Sequence, residues 1–162
     1  MFALDVAADH STASLAVAWW RPDGAAHVLL ADHREGVEWV AARCIETLDR
    51  WGGRLVVEQT GTAGFLLPTL GQTPVELVSR RFYADACSAL DAAVKARSVR
   101  HGNQPELDAA VAVARWSVSG DAGQRVLSRK NPRVSPLVAA TLALHGLTLQ
   151  PANAGGWMVS LP

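Results

Sequence analysis

Apolar positions along the chain follow two rhythms, short unbroken runs and a helical i, i+3, i+4 spacing, and the two alternate. Residues 2–8 (FALDVAA) are an apolar run interrupted by one acid, which predicts a buried strand. Residues 13–20 (ASLAVAWW) predict a second strand and residues 26–32 (AHVLLAD) a third. Between these two lies RPDG, a Pro-Asp-Gly turn of the kind that joins antiparallel strands, so the chain opens as a three-strand meander. Over residues 36–50 the rhythm changes. Val37, Val40, Ala41, Cys44, Ile45 and Leu48 share one helical face, and the glycines of WGG stop the helix. Residues 54–60 (RLVVEQT) predict a fourth strand, residues 61–71 a short helix between glycine breakers, and residues 74–79 (PVELVS) a fifth strand.

The second half is mainly helical. Residues 83–97 carry an apolar stripe of Ala84, Cys87, Leu90, Ala93 and Val94. Residues 105–116 place Pro105 in a first helical turn, where its missing N–H costs nothing, with Leu107, Val111 and Ala114 facing inward. Residues 118–130 read as a hairpin or loop, and residues 136–145 as a helix with Ser135 as N-cap. Residues 157–161 are a short strand or a docked tail. The order β-β-β-α-β-α-β, then helices, describes an α/β fold of the RNase H-like type: a mixed five-stranded sheet, meander first and parallel βαβ strands after, with helices on both faces. One domain over residues 1–150 and a C-terminal tail over 151–162 follow from the terminal Pro-Ala-Asn-Ala-Gly-Gly segment.

Composition narrows this reading. About half of the 162 residues are hydrophobic, enough for a core without metal or disulfide staples. The two cysteines, Cys44 and Cys87, have neither CxxC spacing nor a histidine cluster, and they fit a reducing cytoplasm. No leader and no apolar run of about 18 residues occurs, so a soluble cytoplasmic chain without membrane contact is expected. Formal net charge is zero, which argues against a nucleic-acid binder until the distribution is considered. Up to Glu76 there are ten acids against five bases, and after it the ratio inverts, as suits a metal site beside a phosphate-binding surface or simply solvated faces. P-loop, GxGxxG and GxSxG motifs are all missing, which removes support for nucleotide binding, dinucleotide binding and serine hydrolysis.

Two acids stand out. Asp5 lies inside an apolar strand, where an ionised carboxylate is costly unless something pairs with it. Glu58 ends the apolar LVV of the fourth strand. If the first and fourth strands are neighbours, both converge at the sheet surface. Hard oxygen donors there select Mg²⁺ or Mn²⁺, and two such ions would clamp a phosphodiester in hydrolysis. The plainer alternative is that each acid ends a strand and meets solvent or an arginine. Asp9 reads as an Asx-turn residue or an outer ligand, His101 as a loop histidine that tethers backbone, a general acid or a phosphate contact, and His145 as a residue that a favourable helix-dipole interaction explains without function.

Three segments in this order resemble the nuclease domain of phage terminase large subunits, a family of the RNase H-like, RuvC-like superfamily. ALDVAADHSTASLAVAW resembles its first hairpin and RLVVEQTG its fourth strand. RHGNQPELDAAVAVA followed by SRKNPRVSPLVAATLALHG resembles its C-terminal part, and SPLVAATLAL is similar to large terminases of actinobacterial phages. The resemblance implies a metal-dependent endonuclease, using Mg²⁺ or Mn²⁺ in a two-metal mechanism, that cuts double-stranded viral DNA during packaging. It implies Asp5 and Glu58 as catalytic metal ligands and Arg129, Lys130 and Arg133 as DNA contacts. The terminase ATPase domain, the small terminase subunit and the portal are the implied protein partners. An ATPase motor precedes the nuclease in the family; here the chain opens on the first nuclease strand, as in an excised domain or a stand-alone product.

One departure bears on activity. The family's third ligand is an Asp at the start of the last helix, where this chain has Arg133, Val134 and Ser135. Asp108, or less favourably Asp121, is the expected substitute. A weakened nuclease serving as a DNA-binding or assembly module, and a RuvC-like Holliday-junction resolvase, stay open as alternatives.

Overall fold

The computed structural model describes residues 1–119 and 123–150. The meander is present: β1 (Phe2–Val6), β2 (Thr12–Trp20) and β3 (Ala26–Glu35) pair antiparallel in sequence order. Helix α1 (Val40–Trp51) returns the chain to β4 (Leu55–Glu58), parallel to β1. A 3-10 helix (Gly64–Leu70) leads to β5 (Val75–Val78), parallel to β4. Helix α2 (Arg80–Lys95) then leads to β6 (Val99–His101), parallel to β3. The sheet runs β5-β4-β1-β2-β3-β6, and every strand but β2 points the same way. Helix α3 (Pro105–Val113), a separate hairpin of β7 (Trp116–Ser119) and β8 (Gln124–Leu127), a 3-10 turn (Pro132–Val134) and helix α4 (Ser135–Thr148) complete the described chain.

Alternation along the strands assigns the two faces. Phe2, Leu4 and Val6 of β1 and Leu55 and Val57 of β4 pack with Val40, Cys44 and Leu48 of α1. On the opposite face Ala3 and Val56 join Ala16, Ala18 and Val28 against α2, α4 and β8. Central strands are therefore apolar on both faces, as in sheets covered by helices on each side. Helix α4 is buried on nearly every side, because the sheet, α2 and α3 surround it.

The structure departs from the sequence reading in one strand and at several boundaries. The sheet has six strands, not five. The extra strand, VRH, is too short for any periodicity, and pairing alone creates it, from Ala26↔Val99 to Val28↔His101. The Gln104 side chain extends that edge, accepting from Leu30 N at 2.7 Å and donating to Leu30 O at 2.9 Å. Helix α1 begins at Val40 because β3 runs on to Glu35, opposite Thr12, and Gly36 turns the chain at φ +69°. Helix α2 begins three residues early because the Ser79 hydroxyl caps it, accepting from Phe82 N at 3.3 Å. Helix α3 stops at Val113, since Trp116 enters β7. The expected element over residues 157–161 and the tail lie outside the described residues.

Candidate functional site

β1 and β4 are parallel neighbours in register from Phe2↔Leu55 to Leu4↔Val57, so Asp5 and Glu58 come next in line at their carboxyl ends. Both project to the α4 face, the opposite side from Leu4, Val6 and Val57. Carboxyl ends of parallel strands are where α/β sheets place their chemistry. Here the two acids are almost fully buried, at 3% and 4% exposure.

Arg129, just past β8, reaches in between them. Its Nη1 donates to Glu58 Oε2 at 2.6 Å and its Nη2 lies 3.2 Å from Asp5 Oδ1. The guanidinium stacks over the Tyr83 ring at 4.1 Å from the centroid, and the Tyr83 hydroxyl donates to Leu127 O at 2.7 Å. Tyr83 of α2 is thus tied to the last residue of β8, and Arg129 follows two residues after it. Gly61 closes the outer side. A Cβ there would lie 3.0 Å from both Glu58 Cβ and Oε2, so the turn after β4 packs directly on the acid.

On the other side of Asp5 runs a chain of hydroxyls. Ser135 Oγ donates to Asp5 O at 3.2 Å and lies 2.9 Å from Ser14 Oγ, which is 2.9 Å from His33 Nδ1. His33 Nδ1 is also 3.1 Å from Ala13 O, an atom that only accepts, so Nδ1 carries the proton and faces both oxygens as donor. Burial pushes the Asp5 carboxyl up to about 6; Arg129 and the neighbouring Ser135 hydroxyl work against this, and Glu58 adds to it. Desolvation opposes the charge on Arg129, but Asp5 and Glu58 outweigh it and hold the guanidinium above its ordinary value.

The expected site residues separate in space. Asp5 and Glu58 meet as expected, and each meets an arginine. Arg129 is drawn into the centre, whereas Lys130 and Arg133 stay exposed. Arg133 lines a groove of about 220 Å³ with Ser11, Thr12, His33 and Glu106. Asp108 sits exposed in the first turn of α3, where an acid suits the helix dipole, while Leu107 and Ala110 form that helix's buried side. Among the described residues no group of three metal-ligating side chains forms, and Asp121 lies outside them. Asp9 is an Asx-turn residue, accepting from Ser11 N at 3.0 Å and from its hydroxyl at 2.6 Å. His101 is exposed on β6 and its Nδ1 accepts from Asn103 N at 3.4 Å. Ser135 is not an N-cap: its hydroxyl turns inward to Asp5 and Ser14. Tyr83, Ser14 and His33 carried no signal beyond their places in a helix and two strands.

The whole-molecule comparisons give a consistent answer. The large terminase of bacteriophage HK97 superposes with a TM-score of 0.70 at 16% identity, covering 90% of this chain and 38% of that one. The large terminase nuclease of thermophilic phage G20c with bound magnesium gives 0.64 at 12% identity, covering 90% and 79%. The large terminase nuclease domain of bacteriophage SPP1 with bound Mn gives 0.57 at 10% identity, covering 88% and 82%. This chain has the fold of the large terminase nuclease domains. It spans well under half of the HK97 large terminase. No known protein family matches the chain by its sequence pattern, and no curated protein matches it in sequence.

Solved nucleases of this fold carry magnesium, cobalt or manganese. In donor type the Asp5–Glu58 pair suits such ions. The surroundings do not. A guanidinium fills the space between the carboxylates, and a serine hydroxyl stands where the resemblance calls for a third carboxylate. As arranged, these residues do not fit a pair of divalent ions.

Proposed function

We propose that this chain is the nuclease-type domain of a viral genome-packaging terminase, and that in this arrangement it holds duplex DNA without cutting it. The observation that carries the second half is Arg129, hydrogen-bonded to Glu58 and ion-paired with both Glu58 and Asp5. Its single positive charge sits where cleavage chemistry needs a Lewis acid, and the guanidinium occupies the space between Asp5 Oδ1 and Glu58 Oε2 that a shared cation would take. The fold supports the first half. Lys130 and Arg133, exposed on the segment between β8 and α4, would contact backbone phosphates, which position DNA without reading its sequence. The ATPase domain, the small subunit or the portal would be the protein partners, in the host cytoplasm. No helix among the described residues is long and apolar enough to cross a membrane.

A second reading is metal-dependent phosphodiester hydrolysis at Asp5 and Glu58 with Mg²⁺ or Mn²⁺, with Asp108 as further ligand. The adjacency of the two acids at the strand ends favours it; the exposed position of Asp108 does not. One experiment separates the two. Labelled duplex is titrated with the protein at low and moderate salt, and supercoiled plasmid is incubated with it in Mg²⁺ or Mn²⁺. The expected result is salt-sensitive duplex binding, weakened by Lys130→Ala with Arg133→Ala, and no cutting. Metal-dependent cutting that Asp5→Ala and Glu58→Ala both abolish would establish the nuclease instead. Absence of duplex binding at low salt would sink both.

A further inference from the structure

We propose that Arg129 is a built-in replacement for the divalent cation of this fold: it closes the centre to Mg²⁺ and Mn²⁺, and its loss alone turns Asp5 and Glu58 into a cation site. The inference rests on the reading of these two acids as the fold's acidic centre, but not on DNA binding or cutting.

Three observations converge on it. Two buried carboxylates share one cation, at 2.6 Å and 3.2 Å. That cation also stacks on the Tyr83 ring, which is itself anchored to Leu127 O, so the guanidinium has a second hold besides the acids. The Ser135 hydroxyl, bonded to Asp5 O and Ser14, supplies a neutral oxygen at the third corner where a carboxylate would add a third negative charge. Two negative charges and one arginine leave one excess charge at most, a balance that a divalent ion added to the arginine would reverse. Remove the arginine and two buried carboxylates beside a hydroxyl are left with no compensating charge, which is the donor set a hard divalent ion takes. Removing the guanidinium vacates its volume between Asp5 Oδ1 and Glu58 Oε2, beside the Tyr83 ring.

The test is Mn²⁺ binding followed by electron paramagnetic resonance and by thermal shift, on the full chain. For the parent, MnCl₂ should neither be taken up at this centre nor raise the melting temperature. Arg129→Ala should bind Mn²⁺ at least about tenfold more tightly than the parent and should regain melting temperature as Mn²⁺ is added. Adding Asp5→Asn or Glu58→Gln to that variant should abolish both effects. Arg129→Gln, neutral and close in length, is the second opened variant if Arg129→Ala does not fold, and Arg129→Lys should stay indifferent to Mn²⁺. Uptake of Mn²⁺ by the parent that Asp5→Asn or Glu58→Gln removes would overturn the proposal. So would folded Arg129→Gln that binds no more Mn²⁺ than the parent. If the parent ignores Mn²⁺ but also fails to bind duplex DNA, the replacement stands and the functional reading falls. If the parent binds duplex DNA but also takes up Mn²⁺ at these acids, the replacement falls and only the DNA-holding half of the functional reading stands.

Discussion

A guanidinium buried between two carboxylates is stable only as a set. Each ion alone costs several kcal/mol to bury, and only their mutual attraction and hydrogen bonds offset this. Arg129→Ala should therefore destabilise the protein by about 3–5 kcal/mol in denaturant unfolding without metal, because it leaves two carboxylates unpaired. Adding Glu58→Gln should recover a large part of that loss, since one of the two stranded charges is then gone. A cost below about 1 kcal/mol for Arg129→Ala would mean the pair is solvated and the centre open. Asp5 and Glu58 were legible in the sequence because an acid inside an apolar run is costly and so conspicuous. Arg129 was not. It sits in a basic segment, SRKNPR, whose three cations are equivalent candidates until β8 and the Tyr83 ring select one of them. Ser135 was legible as a helix-start residue, but its inward turn depends on Ser14 from a strand 121 residues away.

Helix α4 shows what element patterns reveal and what they hide. Its start and apolar length follow from Ser-Pro and the run after it, whereas its burial on every side follows only from what surrounds it. Gly146 is the position where that burial is tightest. A Cβ there would lie 2.9 Å from Cγ2 of the fully buried Val56 and 3.1 Å from Cγ of the partly buried Met1. Gly146→Ala would gain about 1 kcal/mol of helix propensity. Overpacking against a rigid central strand costs about 1–3 kcal/mol. The clash should win, and the melting temperature should fall; a rise would show that α4 can lift from β4 without loss. The strand–helix order was readable because runs and helical spacing alternate cleanly. β6 was not, because a three-residue edge strand has no period and exists only through its pairing with β3.

Across the whole protein, stability against pH is set by groups that pull in opposite directions. Burial depresses His27 and His145, so the unfolded chain takes up their protons first, and stability is lost as pH falls below the ordinary histidine value. Desolvation of Asp32 is outweighed by Arg34 and Arg43, which hold it below the ordinary carboxylate value, and its contribution is lost at still lower pH. Asp5 acts the other way. Its folded value of about 6 exceeds its ordinary 3.8, so the folded state takes up the proton first. The penalty for ionising it is complete above about pH 6 and fades as pH falls toward the ordinary value, and the shift corresponds to about 3 kcal/mol. Asp5→Asn removes this one term and leaves the histidines and Asp32 in place. The parent should therefore resist acidification better than Asp5→Asn, with the gap between their melting temperatures moving in the parent's favour from about pH 7 to about pH 4. A gap that stays flat over that range would mean Asp5 ionises as freely as in the unfolded chain, and that Arg129 already meets its charge in full.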